Sequence, residues 1–138
     1  MELTLIFPNQ LFENSDLIKS TKHIVLIEEY LFFRHYNFHK QKILFHRMSM
    51  KFYQDYLSTN HKVEYVESQQ PQSDVRNFIK EASDNVERIN IYDPNDNWLL
   101  KRISWACKAK DIELAIYENP LFLLKKQELN LFFRADKK

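Results

Sequence analysis

Short apolar runs alternate with amphipathic stretches along the chain. Leu3-Thr4-Leu5-Ile6-Phe7 is the first run, ended by Pro8, and His23-Ile24-Val25-Leu26-Ile27 is the second, ended by Glu28-Glu29. Both are almost continuously apolar, as expected of parallel strands covered on both faces. Lys62 to Val66 reads as a weaker third strand, with Val63 and Tyr65 alternating against Glu64. Ile89-Asn90-Ile91-Tyr92 is the fourth and Leu114-Ala115-Ile116-Tyr117 the fifth.

Between these runs the period lengthens. A brief helix is expected at Asp16 to Lys19. A long one is predicted from His39 to Ser58, where Leu44, Met48, Phe52 and Tyr56 recur every four residues with Phe45 and Tyr53 alongside. Ser73 is placed to cap a helix carrying Val75, Phe78, Ile79 and Ala82 on one face. Asn95 or Asp96 opens the next helix, with Leu99, Ile103 and Ala106 inward, and Lys126 to Phe133 is a last helix-like segment. Strands joined by helical crossovers run parallel, with right-handed connections. The expected fold is α/β: a Rossmann-like, doubly wound, three-layer sandwich around a five-stranded parallel sheet. It forms one domain over residues 1–138, a length that suits a single core.

One count changes the functional picture more than any other: the chain has 0 glycines. The dinucleotide fingerprint and the phosphate loop both need glycine, because only glycine lets the backbone turn and approach a phosphate closely. The fold expectation therefore stands without an ordinary NAD site or P-loop. The net charge of +1 gives no general electrostatic argument for nucleic acid and leaves a local patch as the only route to one. The single cysteine, Cys107, forms no internal disulfide and holds no cluster or structural zinc alone. Met1 to Phe7 lacks the basic and long apolar regions of a signal peptide, and no run is long and apolar enough to span a membrane. The expectation is a cytoplasmic protein.

Polar residues collect where the strands end: Pro8-Asn9-Gln10, Glu28-Glu29, Asp93-Pro94-Asn95 and Glu118-Asn119-Pro120. In a doubly wound sheet these ends share one edge, where ligands bind near the reversal of strand order. The stretch from Arg34 to Lys42 is basic and aromatic at the mouth of the long helix, although a helix N-terminus favours anions. His39 and Lys42 lie one turn apart there. Trp98 and Trp105 are seven residues apart on one helix, a spacing that suits packing.

These strand ends carry a likeness. Leu5-Ile6-Phe7-Pro8-Asn9-Gln10-Leu11-Phe12, Val25-Leu26-Ile27-Glu28-Glu29, His39-Lys40-Gln41-Lys42-Ile43, Tyr92-Asp93-Pro94 and Glu118-Asn119-Pro120-Leu121-Phe122-Leu123 occur in that order. The chain resembles the N-terminal domain of the deoxyribodipyrimidine photolyase-related proteins, the prokaryotic (6-4) photolyase and iron–sulfur bacterial cryptochrome group. The resemblance implies an antenna domain that holds 6,7-dimethyl-8-ribityllumazine near the strand ends, through Asn9, Gln10, Leu11, Glu28, Glu29, His39 and Lys42. It implies a C-terminal helical domain, in cis or in trans, that binds FAD and an iron–sulfur cluster and meets damaged DNA. That domain would be absent from residues 1–138, so this chain alone would not act as the lyase. Many relatives have Gly-Asp-Gln-Leu where this chain has Pro8-Asn9-Gln10-Leu11, which keeps an acceptor and removes a charge.

Two other classes compete with the antenna reading. One is a small α/β enzyme with magnesium on a carboxylate edge of Glu28, Glu29, Asp93 and Glu118. The other is a docking domain whose apolar surface, drawn from Phe32, Phe33, Leu131, Phe132 and Phe133, would seat a helical partner or a second copy as a homodimer.

Overall fold

A computed structural model describes residues 1–13, 15–34 and 39–120. Five strands form one sheet: β1 (Glu2–Ile6), β2 (His23–Ile27), β3 (Lys62–Val66), β4 (Arg88–Tyr92) and β5 (Glu113–Tyr117). Every pairing is parallel and the spatial order is β3-β2-β1-β4-β5. The helices are α1 (Asp16–Ser20), α2 (Tyr30–Phe33), α3 (Lys40–Leu57), α4 (Val75–Ala82) and α5 (Asn97–Ala109). The expected Rossmann-like architecture is the one observed. The predicted segment from Lys126 to Phe133 lies outside the described residues.

Alternation along each strand sorts the core into two layers. Leu3, Leu5, Val25, Ile27, Ile89 and Ile91 meet α4 and α5 through Val75, Ile79, Leu99 and Ile103. The opposite positions, Ile6, Ile24, Leu26 and Tyr92, meet α1 and α3 through Leu17, Met50, Tyr53 and Leu57. All five residues of β2 are buried, which explains its unbroken apolar run. Fully burying one such aliphatic side chain contributes about 1.5–3 kcal/mol.

Local chemistry sets the helix starts. Ser15 caps α1 by accepting from the Ile18 N–H, and its hydroxyl also bonds the Tyr92 hydroxyl across the layer. Asp74, one residue beyond the predicted Ser73, caps α4 by accepting from the Arg76 N–H. Ser73 instead ends a short 3-10 turn, with its hydroxyl donating to the Ser68 carbonyl. Asp96 caps α5 by accepting from the Trp98 and Leu99 N–H groups. Among the described residues two turns take a left-handed residue, and without glycine they use Asn95 (φ 57°) and Asp111 (φ 55°).

Three expectations about faces fail. The stripe Leu44, Met48, Phe52 and Tyr56 lies on the outside of α3, with Phe52 77 % exposed, whereas Met50, Tyr53 and Leu57 face the sheet. Both stripes repeat every three or four residues, so periodicity alone cannot choose between them. Trp98 and Trp105 are also exposed rather than packed, because α5 buries the opposite face through Leu99, Ile103 and Cys107. Phe33 is buried in the α3 layer and Phe32 half-buried between the two layers, so neither forms the expected open docking surface. Leu131, Phe132 and Phe133 lie outside the described residues.

Candidate functional site

The order in which strands are added reverses at β1. The chain steps from β1 to β2 to β3 on one side, then crosses to β4 and β5 on the other. The carboxyl ends of β1 and β4 therefore flank the switch point where doubly wound folds take ligands. The turn after β1 closes through a Gln10 N–H to Phe7 carbonyl bond of 3.0 Å. Gln10 is fully buried, and its Oε1 accepts from the Phe7 N–H at 3.4 Å. In this orientation the amide nitrogen, Nε2, has no hydrogen-bond partner among the described residues. A buried donor left unmade costs about 1–3 kcal/mol, so such an atom at a switch point marks a place for an acceptor. Asn9 beside it is exposed.

At the end of the neighbouring strand, Asp93 is buried after β4. Its N–H donates to the Tyr117 carbonyl at 2.7 Å, and its Oδ1 accepts from the Asn95 N–H at 3.2 Å. Asn119 donates through Nδ2 to the Asp93 carbonyl at 3.1 Å, tying the end of β5 to the end of β4. Leu11 turns toward α3 and lines an apolar groove of about 680 Å3 with Phe45, Met48, Phe52, Tyr53 and Tyr56.

Glu28 and Glu29 are both fully buried at the end of β2 and point into opposite layers. Glu28 accepts from Arg47 in a bidentate fork, Nε to Oε1 at 2.8 Å and Nη2 to Oε2 at 2.7 Å. The Tyr65 hydroxyl donates to it at 2.6 Å and the Ser68 N–H at 2.7 Å. Burial pushes its carboxyl up, but the bonds from Arg47, Tyr65 and Ser68 and the Arg47 charge outweigh that, so it sits below the usual carboxylate value. Tyr65 is in turn held neutral by burial and by the carboxylate it serves. Lys51 covers the Tyr65 ring at 3.6 Å.

Glu29 has weaker company. The Val75 N–H, at the start of α4, donates to Oε2 at 2.9 Å, and Arg102 reaches Oε1 at 3.4 Å. Arg102 also faces Asp74 at 3.9 Å, so one guanidinium serves two carboxylates. Burial raises the Glu29 carboxyl most; the Val75 N–H and Arg102 oppose it, Asp74 adds to it, and the result is about 7.

The start of α3 is built differently from the strand ends. His39 is exposed and is the N-cap, its Nδ1 accepting from the Gln41 N–H at 3.1 Å. Lys42 is exposed one turn on. His46, on the inner side, lies 6.1 Å from the Phe33 ring, and burial and then Lys42 hold its imidazole below the usual value. Residues 35–38 of the basic-aromatic stretch lie outside the described residues.

The seven candidates thus divide three ways. Gln10 lies at the switch point with Asn9 next to it; Glu28 and Glu29 sit behind β2 with arginine partners; His39, Lys42 and Leu11 belong to the α3 side. Arg47, Tyr65 and Arg102, which satisfy the two glutamates, were not singled out from the sequence. An arginine on the inward side of a long helix, opposite a carboxylate that ends a buried strand, was the available signal. The four carboxylates of the expected magnesium edge do not converge: among the described residues no group of three or more His, Cys, Asp or Glu can hold a metal ion. No helix among them is long and apolar enough to cross a membrane.

Comparison with known proteins adds two findings. The family described as "Deoxyribodipyrimidine photo-lyase-related protein" matches over residues 4–138. An "Uncharacterized protein R852" of Acanthamoeba polyphaga mimivirus is 30% identical, with 94% of this chain and 70% of that protein covered.

Proposed function

The chain belongs to the deoxyribodipyrimidine photo-lyase-related family, and from that premise we propose that its Rossmann-like domain holds an antenna chromophore at the β1/β4 switch point. The observation that carries the reading is Gln10, a buried amide whose nitrogen has no acceptor among the described residues, at the switch point where doubly wound sheets take ligands. A flat heterocycle with ring carbonyls, such as 6,7-dimethyl-8-ribityllumazine, supplies the acceptor that this donor lacks. When bound, the lumazine supplies near-ultraviolet and blue absorption for transfer to a flavin.

The chain's own residues then have separable roles. Gln10 orients the ring, with Asn9 and the edge around Asp93 and Asn119 bounding the crevice. Glu28 and Glu29 act behind it: their arginine clamps tie β2 to α3 and to α5 and keep the edge rigid. His39 and Lys42 shape the entry of α3 and would reach a ligand only at its outer rim. The partner in this reading is a helical domain carrying FAD and an iron–sulfur cluster, in cis or in trans, and damaged DNA is met through that domain. The exposed apolar stripe of α3 favours a second reading, a docking module for another domain or for a second copy.

Titration of the purified protein with 6,7-dimethyl-8-ribityllumazine, followed by ligand fluorescence, tests the first reading. Saturable binding weakened about tenfold by Gln10→Leu is expected, the worth of one buried hydrogen bond. Absence of binding at high micromolar ligand would overturn it in favour of the docking module.

A further inference from the structure

The outer face of α5 carries an alternation of rings and cations. Trp98, Lys101, Trp105 and Lys108 follow at spacings of three, four and three, which places them on one face of the helix, the indoles in one row and the lysines in the row beside it. All four are exposed, Trp98 by 76 % and Trp105 by 69 %. The opposite face is the buried one, through Leu99, Ile103 and Cys107, so these indoles do no packing for the core. Asn97–Ala109 contains no acidic residue. Among the described residues, neither Lys101 nor Lys108 forms an ion pair. α4 packs beside α5 and adds exposed Arg76 and Lys80, although Arg76 is paired with Asp74. With a net charge of only +1 on the whole chain, this is a local feature.

We propose that the Trp98-Lys101-Trp105-Lys108 face of α5 is a contact surface for single-stranded nucleic acid, with bases on the indoles and phosphates on the lysines. Seven residues of helix advance about 10 Å. The two rings therefore stand about 10 Å apart, as do the two ammonium groups, close to three nucleotide steps at ~3.4 Å each. Single-strand binding is built from this combination of a cationic track and stacking rings, and it tolerates any base because every base has a π-face. An acidic peptide would use the lysines and leave the indoles without a matching group. A lipid surface asks for a broad apolar stripe, whereas the outward face of α5 offers only two indoles and Ala109 beside its cations.

The chain's 2 tryptophans are these two, so its indole emission reads this face alone. Oligothymidylate added at low salt should quench that emission saturably. The logarithm of the binding constant should fall with the logarithm of salt at a slope of about −1.4, for two phosphates neutralised on a single strand. Lys101→Glu and Lys108→Glu should each weaken binding about tenfold, and Trp105→Ala about fivefold, with far-ultraviolet circular dichroism unchanged because all three side chains are exposed. Polyglutamate, inorganic polyphosphate and phosphatidylserine vesicles serve as comparators. The proposal is overturned if oligothymidylate leaves the emission unchanged at millimolar nucleotide. It is equally overturned if any comparator quenches as strongly, or if the lysine variants bind like the wild type.

Discussion

Glu28 and Glu29 are adjacent and equally buried, yet the fold treats their protons oppositely. Glu28, with four hydrogen bonds to its carboxylate, is held ionised. Its contribution is present above its ordinary value of 4.5 and is lost as pH falls through the lowered folded value. Removing the guanidinium while keeping the stem, Arg47→Met, strands that charge and should cost about 3 kcal/mol in urea denaturation near neutral pH. The deficit should shrink in acid; an undiminished deficit would mean that Arg47 acts only through packing. Glu29 shifts from 4.5 up to about 7, so the fold favours its protonated form. That contribution is complete below the ordinary value and is lost as pH rises from there through about 7. Above this window the buried ionised carboxylate costs the fold on the order of 3 kcal/mol relative to a glutamate that keeps its ordinary value. Glu29→Gln, which stays uncharged, should therefore raise the urea midpoint at about pH 8 and change it little at about pH 5. A difference that does not vary with pH would refute the assignment.

At the scale of elements, α3 presents two apolar stripes and the sheet accepts one. Met50, Tyr53 and Leu57 are taken inward, while Leu44, Phe45, Met48 and Phe52 stay in water. The choice is made by long-range fit: the inner face also carries Arg47, which must reach Glu28. Local periodicity holds no trace of that requirement. The same blindness placed Trp98 and Trp105 in the core, because ring size argues for burial and the position of β4 and β5 under α5 decides otherwise. Phe52→Glu should leave stability within about 0.5 kcal/mol, as surface changes do. It should also reduce concentration-dependent association in sedimentation velocity. A loss of several kcal/mol would show the stripe to be packed in solution.

For the whole molecule, strands, helices and their alternation were legible because unbroken apolar runs and a lengthened period are local signals. The order β3-β2-β1-β4-β5 was not, since it is set by which crossover returns past β1. The site was legible as an edge but not as an arrangement: Gln10 was singled out with Glu28 and Glu29, and only the fold separates an amide with an unmet donor from carboxylates already clamped by arginine. The absence of glycine reaches beyond ligand choice. Among the described residues, Asn95 and Asp111 hold left-handed turns, at a cost of about 1–2 kcal/mol each before side-chain compensation. Every position is filled by a residue with a Cβ, and each such residue narrows the unfolded ensemble by about 0.4–1 kcal/mol relative to glycine where the native geometry permits it. The chain therefore enters folding with less backbone entropy to lose, and its order is partly inherited from the stiffness of the unfolded chain.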